Sequence, residues 1–328
     1  MKSNKRSIVL KCLGLVLLST AVSSVMAQSN WPQKPIKLVV PYAPGGAIDT
    51  LARAIGPVLS EKSGQPVVIE NKPGAGTALA ASALAKTTPD GYTIMLGGSA
   101  TLTFNPALKA DLQYDSLKSF TPLAVVADVP LVLIANTDSG INTVGDLVRM
   151  AKANPEKISY GSFGMGSSAH FGGEMLKHAL GINMIHVPYN GSSQTMTGLI
   201  GGQIQVAVDT ASASSSFIQA NKVKGIATLS GKKLASLPQL ATVSESGAPG
   251  FELNTWAAIM APAGLPEDIR QKLEGFLAAS LQSPEIVSKI TSMGLVPNYG
   301  NGAILKARIE RELPMIKAVA VRSKIQAD

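Results

Sequence analysis

The chain has 328 residues, of which 45% are hydrophobic and 15% are charged, and its formal net charge is +8. No cluster of Lys and Arg with interleaved aromatic residues is present, which argues against nucleic-acid binding. The only cysteine is Cys12, so neither an intrachain disulfide nor a multi-cysteine metal site can form. A length of this order suggests about two domains.

The first 27 residues have the pattern of a secretory signal peptide. Basic residues open the chain, an apolar stretch covers residues 8–22, and Val25 and Ala27 provide the small side chains of a cleavage site. We predict cleavage after Ala27; an uncleaved membrane anchor is the alternative, which the short apolar core disfavours. Cleavage removes Cys12 and lowers the formal net charge to +4.

Strands and helices are predicted to alternate in the first part of the mature chain. Strands are expected at residues 36–40, 67–69 and 93–96, and helices at residues 48–60 and 77–86. A glycine-bearing loop follows each of the three strands. This order predicts a parallel sheet whose three loops share the carboxyl edge, where open α/β sheets bind ligands.

The same alternation restarts later and predicts a second sheet with its own carboxyl-edge loops. Strands are expected at residues 131–135, 158–160, 184–187, 204–209 and 225–229. Residues 237–251 are rich in Pro and Gly and predict a surface loop. The C-terminal third predicts a strand at residues 255–260 and helices at residues 267–282, 284–293 and 303–321.

The loop after the first strand, Pro-Tyr-Ala-Pro-Gly-Gly from Pro41 to Gly46, precedes a helix. It lacks both the phosphate-binding P-loop pattern and the dinucleotide fingerprint, so nucleotide binding is disfavoured. Free N–H groups at a helix N-terminus, approached across glycines, can still bind an anion such as a carboxylate. A plain tight turn capped by Asp49 remains the alternative for this loop taken alone.

Several motifs along the chain together resemble the Bug/TctC family, the periplasmic solute receptors of tripartite tricarboxylate transporters. The motifs are Trp31-Pro-x-Lys-Pro-Ile, Pro41-Tyr-x-Pro-Gly-Gly-x-x-Asp49-x-x-Ala-Arg53, Asn71-Lys-Pro-Gly-Ala-Gly76, Pro89-Asp-Gly-Tyr-Thr93, the loop from Gly164 to His170, Val187-Pro-Tyr-x-Gly191, Gly202-Gln203 and Asn-Thr-Trp256. They extend over essentially the whole mature chain.

The resemblance implies an α/β, type II periplasmic-binding-protein fold, with two α/β lobes and a ligand cleft between them. Lobe 1 would comprise residues 28–126 and 230–328, and lobe 2 residues 127–229. It implies a periplasmic receptor that is monomeric, needs no cofactor or metal and is not an enzyme. Such a receptor captures a di- or tricarboxylate, an aromatic acid or an amino acid and delivers it to the transporter's membrane subunits.

The resemblance also implies which residues contact the ligand. In lobe 1 these are Tyr42, Gly46, Ala47, Asp49, Gly76, Thr77 and Ser99. In lobe 2 they are Gly164, Ser167, Ser168, His170, Tyr189, Gly191 and Asp209. The chain departs from the family pattern at Thr77, where a third glycine is common, and at Met165, where a polar residue is common.

Asp209 ends a predicted apolar strand and has two possible roles. Its carboxylate could accept hydrogen bonds from an ammonium or hydroxyl group of the ligand, or it could cap backbone amides and order the following loop.

Two other function classes stay open. A secreted serine hydrolase would use Ser167 and His170 as nucleophile and base, although no G-x-S-x-G motif is present. A ligand sensor that docks on a membrane kinase would share the receptor's binding chemistry. The regular spacing of His170, His178 and His186 hints at a metal, but eight residues along one helix place successive side chains about 12 Å apart, so structural histidines are favoured.

Overall fold

The first strand begins at Ile36, where the sequence predicts it. The computed structural model describes residues 30–325, so the predicted signal peptide, residues 1–27, and its cleavage site lie outside the described part. From Pro32 onward the chain forms one compact unit. Within residues 30–325, every helix is too short or too polar to cross a bilayer.

Ten strands are described. They are β1 (Ile36–Val40), β2 (Val67–Asn71), β3 (Thr93–Gly98), β4 (Phe120–Ala135), β5 (Ser159–Ser162), β6 (Ile185–Pro188), β7 (Val206–Thr210), β8 (Lys224–Thr228), β9 (Asn254–Pro262) and β10 (Val296–Asn301).

The described α-helices lie between these strands or follow them. They are α1 (Ala47–Ser63), α2 (Ala78–Ala85), α3 (Asn105–Leu108), α4 (Val144–Ala153), α5 (Ser168–Leu180), α6 (Ser192–Ile200), α7 (Ala211–Gln219), α8 (Glu267–Leu281), α9 (Pro284–Ser292) and α10 (Gly302–Arg322). A 3₁₀ turn covers Ala75–Thr77 and a π-helical turn covers Ala100–Phe104.

The strands follow the order β2-β1-β3-β9-β4-β7-β5-β6, and β8 and β10 also pair with β4. Strand β1 is parallel to β2 and β3, as the alternating pattern predicts. Strand β5 is likewise parallel to β6 and β7. The loops after β1, β2 and β3 therefore share one edge, which we call the first loop edge. The loops after β5, β6 and β7 share another, the second loop edge.

Strand β4 connects the two parallel groups. Its first part pairs with β9 as far as Pro130, and its last part, from Leu131, pairs with β7 and β8. The sequence predicts only residues 131–135 of this strand, because Pro122 and Pro130 interrupt the strand pattern upstream. The register shifts beside Pro122, where the proline cannot donate a ladder hydrogen bond.

Residues 237–251 are not the purely surface loop that the sequence predicts. Val243 is fully buried and Phe251 is nearly so, and both belong to the core on β7. The segment is anchored where Val243 N–H donates to Thr228 O at 3.0 Å. Ile316 and Val319, in the C-terminal half of α10, pack into the same core. Because apolar residues without periodicity can still be buried by neighbouring elements, the Pro/Gly content alone was misleading.

Candidate functional site

The loop from Pro41 to Gly46, which we call the opening loop, is fixed by Asp49, which is only 2% exposed. Its Oδ2 accepts from Gly45 N–H at 2.8 Å and from Arg53 Nε at 3.0 Å, and its Oδ1 accepts from Asn71 Nδ2 at 2.9 Å. The hydrogen bond from Arg53, followed by those from Gly45 and Asn71, lowers the pKa of Asp49 to about 2. Both oxygens are therefore occupied by the protein, and the side chain fixes the loop.

The glycines of this loop face outward. Gly45 has φ 84°, a left-handed conformation that favours glycine. Gly46 caps α1 with φ −75°, and no side chain caps the helix. A Cβ added at Gly46 would meet only Ala43 O, at 3.7 Å. Gly46 and Ala47 are exposed, so the first amides of α1 are open to an anion.

Tyr42 lies in the same loop, and burial raises the pKa of its phenol to about 12. Its backbone carbonyl accepts from Asn71 Nδ2 at 3.0 Å. Asn71 thus joins the backbone of the loop to Asp49, and the Arg53 NH2 group donates to Asn71 Oδ1 at 3.1 Å. Arg53 ends the motif that begins at Pro41, but the sequence predicted no contact for it. The i, i+4 spacing from Asp49 is the signal that could have found it.

The second loop of the first loop edge, which follows β2, has a strained backbone. Four consecutive residues have positive φ: Gly74 (143°), Ala75 (48°), Gly76 (60°) and Thr77 (83°). Positive φ at the two non-glycine residues costs about 1–3 kcal/mol each and persists only where surrounding contacts impose it.

The contacts that impose these positive φ angles come from residues that follow β3. Asn105 Nδ2, on α3, donates to Gly76 O at 2.6 Å and to Thr77 Oγ1 at 3.1 Å. Thr101 Oγ1 donates to Thr77 Oγ1 at 2.9 Å. Thr77, where a third glycine is common in the family, is therefore buried and anchors the loop. Asn105 gave no signal in the sequence, because its partners lie nearly thirty residues away.

Ser99 begins the third loop, directly after Gly98. A side chain at Gly98 would collide with Trp256 O on β9, so this position requires glycine. Ser99 is almost fully buried; its Oγ accepts from Trp256 N–H at 3.4 Å, and its carbonyl accepts from Thr103 Oγ1 at 2.8 Å. The π-helical turn follows at once, a distortion often found at functional sites.

On the second loop edge, Ser167 caps α5. Its Oγ accepts from His170 N–H at 3.2 Å and donates to Gly164 O at 2.6 Å. His170 Nδ1 accepts from Gly166 N–H at 3.1 Å. These contacts hold the loop in shape. They do not form the side-chain pair of a nucleophile and its base, since the hydrogen bond from His170 is made by its backbone.

His170 also stacks on His186 of β6, with ring centroids 3.8 Å apart and planes 10° apart. His186 Nε2 lies 2.7 Å from Ser162 Oγ. Burial, together with His170 and Lys177, lowers the pKa of His186 to about 3. The three histidines do not share one helix, because His186 lies on a strand, and His178 is exposed on α5. Residues 30–325 contain no group of three or more His, Cys, Asp or Glu placed to hold a metal.

Asp209 is fully buried near the end of β7. Its Oδ1 accepts from Ser192 Oγ and from Thr210 N–H, both at 2.7 Å. Its Oδ2 has no hydrogen-bond partner within residues 30–325. Burial raises the pKa of this carboxyl to about 6, against the effect of the two hydrogen bonds. Asp209 thus accepts from a backbone amide with one carboxylate oxygen, while its other oxygen is an unused hydrogen-bond acceptor.

Tyr189 and Gly191 follow β6. Tyr189 Oη donates to Gln203 Oε1 at 3.4 Å, and its ring lies against Gly198 of α6, where a Cβ would collide with it. The ring therefore packs against α6. Gly191 precedes α6 with φ 102°, and a Cβ there would meet nothing within 4 Å.

The two loop edges adjoin. A Cβ at Gly166 would lie 2.7 Å from Leu108 Cδ1 of α3, and the rings of Phe104 and Phe171 lie 4.9 Å apart. Ser168, the first residue of α5, is half-buried beside them. Two cavities, of about 590 and 490 Å³, are lined by none of the predicted site residues.

Comparison with known proteins identifies relatives that match nearly the whole chain. Residues 51–321 match the model of the tripartite tricarboxylate transporter family receptor. A UPF0065 protein of Bordetella pertussis is 34% identical over 318 residues, 96% of this chain and 98% of that protein.

Two solved structures share the fold. R. palustris Rpa4515 with adipate has a TM-score of 0.81 and 33% identity, covering 90% of this chain and 99% of that one. The periplasmic binding protein BugD has a TM-score of 0.77 and 33% identity, with the same coverage. The expected α/β, periplasmic-binding-protein fold is thereby confirmed. The chain belongs to the family of tripartite tricarboxylate transporter receptors.

Proposed function

We propose that this protein captures a small carboxylate between the two loop edges and delivers it to the membrane subunits of a tripartite tricarboxylate transporter. The observation that carries the proposal is the opening loop, where exposed amides of α1 follow Gly46 while Asp49 holds the loop from the protein side. A cationic side chain is not required, because a helix N-terminus favours negative charge. Adipate in Rpa4515, a dicarboxylate, is consistent with this chemistry.

The roles of the predicted residues divide into contact and support. Backbone groups of Gly46, Ala47 and Gly76 on the first edge, and of Gly164 and Gly191 on the second, are proposed to contact the ligand. The supporting side chains are proposed to be Asp49, Thr77, Ser99, Ser167 and His170, since each is bonded to the protein itself. We propose that Tyr42, Ser168 and the backbone of Tyr189 form the remaining walls of the ligand site.

Asp209 is the proposed selectivity residue. Its unpartnered Oδ2 can accept a hydrogen bond from a ligand hydroxyl or ammonium, whereas an ionised second carboxylate beside it would be repelled. We therefore favour hydroxy acids or amino acids over plain diacids as ligands.

The protein is proposed to act in the periplasm as a monomer, after removal of the signal peptide. The lobes are proposed to comprise residues 28–126 with 230–328 and residues 127–229. With these bounds the chain crosses between the lobes twice, once within β4 and once directly after β8. Binding between two lobes favours the closed form only to the extent that the ligand binds that form better.

The first test is a thermal-shift screen of di- and tricarboxylates, hydroxy acids, aromatic acids and amino acids. A ligand at 100 times its dissociation constant stabilises the folded state by about 2.7 kcal/mol. Small-angle scattering with the best ligand should then show a smaller radius of gyration. A panel without any stabilising acid would contradict the proposal.

The hydrolase alternative predicts turnover, whereas a receptor releases its ligand unchanged. We expect no product from a panel of carboxylated esters, as judged by mass spectrometry. Product formation that Ser167→Ala abolishes would establish the hydrolase. The kinase-sensor alternative makes the same ligand contacts, and a pull-down with the transporter's membrane subunits separates it from transport.

A further inference from the structure

Two of the described cavities adjoin each other beside α10. Their shared lining residues are Glu252, Asn254, Arg308 and Arg311. Together they run from the segment after β8 along the side of α10. Volumes of about 590 and 490 Å³ fall in the range of small-molecule sites, about 300–1,000 Å³.

The larger cavity is lined by the segments that pass between the two parallel groups of strands. Pro130 is the last β4 residue paired with β9, and it lines this cavity with Ser230 and Asn254. The segments are hydrogen-bonded to one another, because Leu229 N–H donates to Leu131 O at 2.9 Å and Leu253 N–H donates to Leu229 O at 2.8 Å.

The charged groups at the boundary of the two cavities are largely paired with one another. Arg308 donates to Asp128 at 2.7 Å and to Glu312 at 2.8 Å. Glu312 also accepts from Trp256 Nε1 at 2.7 Å, and Asp128 accepts from Asn298 Nδ2 at 2.7 Å. Arg311 Nη2 also lies 3.3 Å from Glu312 Oε1, so two arginines balance the two carboxylates and little negative charge is left to attract a cation.

The rim of the larger cavity is positively charged. Lys232 and Lys233 are exposed there, and Arg311, which pairs with Glu312, extends from α10 with 68% of its side chain exposed. Glu252 lies at the same rim, because its Oε2 would be 2.8 Å from a Cβ at Gly231, and it offsets part of the positive charge. Ser230, only 5% exposed, also lines the cavity, and its hydroxyl has no hydrogen-bond partner within residues 30–325. A buried hydroxyl without a partner favours a ligand that supplies one.

The smaller cavity has a mainly apolar wall. Phe104, Met175, Leu253, Met315 and Ile316 line it, and Met315 is 56% exposed. An apolar wall, of which Met315 is the exposed part, beside a positive rim is suited to a molecule with an apolar body and an anionic end.

We infer that these two cavities form a second ligand site, distinct from the loop edges, for an amphipathic organic acid. The anionic head lies among Ser230, Lys232, Lys233 and Arg311, and the apolar body lies along Leu253, Met315 and Ile316. The inference does not depend on the proposed function, because none of these residues belongs to the two loop edges.

Octanoate is the probe, with octylammonium as the matched amphiphile of opposite charge, in calorimetric titrations of residues 28–328. We expect octanoate to bind at least about tenfold more tightly than octylammonium. The triple variant Lys232→Ala, Lys233→Ala, Arg311→Ala should weaken octanoate binding by about tenfold. The control Lys306→Ala, Lys317→Ala removes two basic residues of α10 outside the cavity lining and should leave binding unchanged.

Met315→Gln tests the apolar part of the second ligand site. Val321→Gln is the control, because Val321 is an exposed apolar residue of the same helix outside the cavity lining. Only the first should weaken octanoate binding. Ser230→Ala should weaken it without lowering the melting temperature, since the variant removes an unpartnered hydroxyl.

Three results would overturn the site. The first is the absence of octanoate binding at millimolar concentration, and the second is equal affinity in the triple variant and the wild type. The third is loss of octanoate binding in Gly46→Val but not in the triple variant, which would place octanoate at the loop edges. That third result would leave the proposed receptor function intact.

Discussion

The first and second loop edges contain the same strand–glycine–helix units but differ in the groups that hold them. The first is held by Asp49, whose pKa lies near 2, and by the neutral amide of Asn105. The second is held by the stacked pair His170 and His186 and by Asp209, whose pKa lies near 6. The first edge therefore keeps its charge state across the neutral range, whereas the second contains a group that titrates there.

The difference suggests a division of labour. We expect amides of α1 to recognise negative charge through backbone geometry, which a change in pH does not alter. We expect side chains of the second edge to decide which acid is accepted, with their protonation coupling selectivity to pH. Four predictions test this division, from the largest expected effect to the smallest.

The largest effect is expected from Gly46→Val. The new side chain has room within the protein, because a Cβ there meets only Ala43 O at 3.7 Å, but it fills the space above the α1 amides. We expect carboxylate affinity to fall by about 100-fold or more, with an unchanged melting temperature.

The matched control is Gly275→Val, since Gly275 is exposed on α8 and a Cβ there meets nothing within 4 Å. Calorimetry on both variants decides the matter. If Gly46→Val bound carboxylates with wild-type affinity, the opening loop would not be part of the site. The role expected for the first loop edge would then be wrong.

Asp209→Asn should change both stability and selectivity. The folded-state pKa, about 6, exceeds the ordinary value of 3.8, so the stability contribution is full below pH 3.8 and is lost as the pH rises through 6. At pH 8 the variant should therefore be more stable than the wild type by about 2–3 kcal/mol, and this gain should shrink towards pH 4. Chemical denaturation at several pH values measures it.

In binding, the same variant should lose affinity for hydroxy or amino acids relative to plain diacids by about 1–3 kcal/mol. Parallel titrations of malate-like and succinate-like acids measure the ratio. Uniform weakening across the panel, with a lower melting temperature at every pH, would assign Asp209 to structure alone.

Asn105→Ala should release the strained second loop. Asn105 is 7% exposed and its amide supports both Gly76 O and Thr77 Oγ1. We expect a loss of about 1–3 kcal/mol in the free energy of unfolding and weaker carboxylate binding, at all pH values alike. Thr101→Val removes only one bond to Thr77 and should have the smaller effect. A pH-dependent loss of binding would contradict the division between the edges.

The smallest effect is expected from His186→Gln. Because the folded-state pKa of His186 is lowered to about 3 from 6.5, its stabilising contribution is full above pH 6.5 and is lost progressively as the pH falls towards 3. The variant cannot be protonated there, so its melting temperature should decline less between pH 7 and 4.5. If the melting temperatures of the wild type and the variant fell equally between pH 7 and 4.5, His186 would not be a source of acid sensitivity.

Local sequence patterns predicted much of the fold. The boundaries of β1 are as predicted, and helices α8, α9 and α10 agree within a residue or two of each end. Strand β10 was missed because its sequence, Val-Pro-Asn-Tyr-Gly-Asn, has no apolar alternation and gains its partner only from β4. The upstream part of β4 was missed because prolines interrupt it.

The sequence by itself determined the order of strands, glycine loops and helices, and hence which loops share an edge, because those features follow from short-range periodicity and turn chemistry. Only the tertiary structure decided that Asn105 supports Thr77, that His170 stacks on His186, and that Asp209 is buried with one oxygen unpartnered. These contacts join residues far apart in the chain, and their burial depends on packing between elements. Neither is encoded in any local pattern.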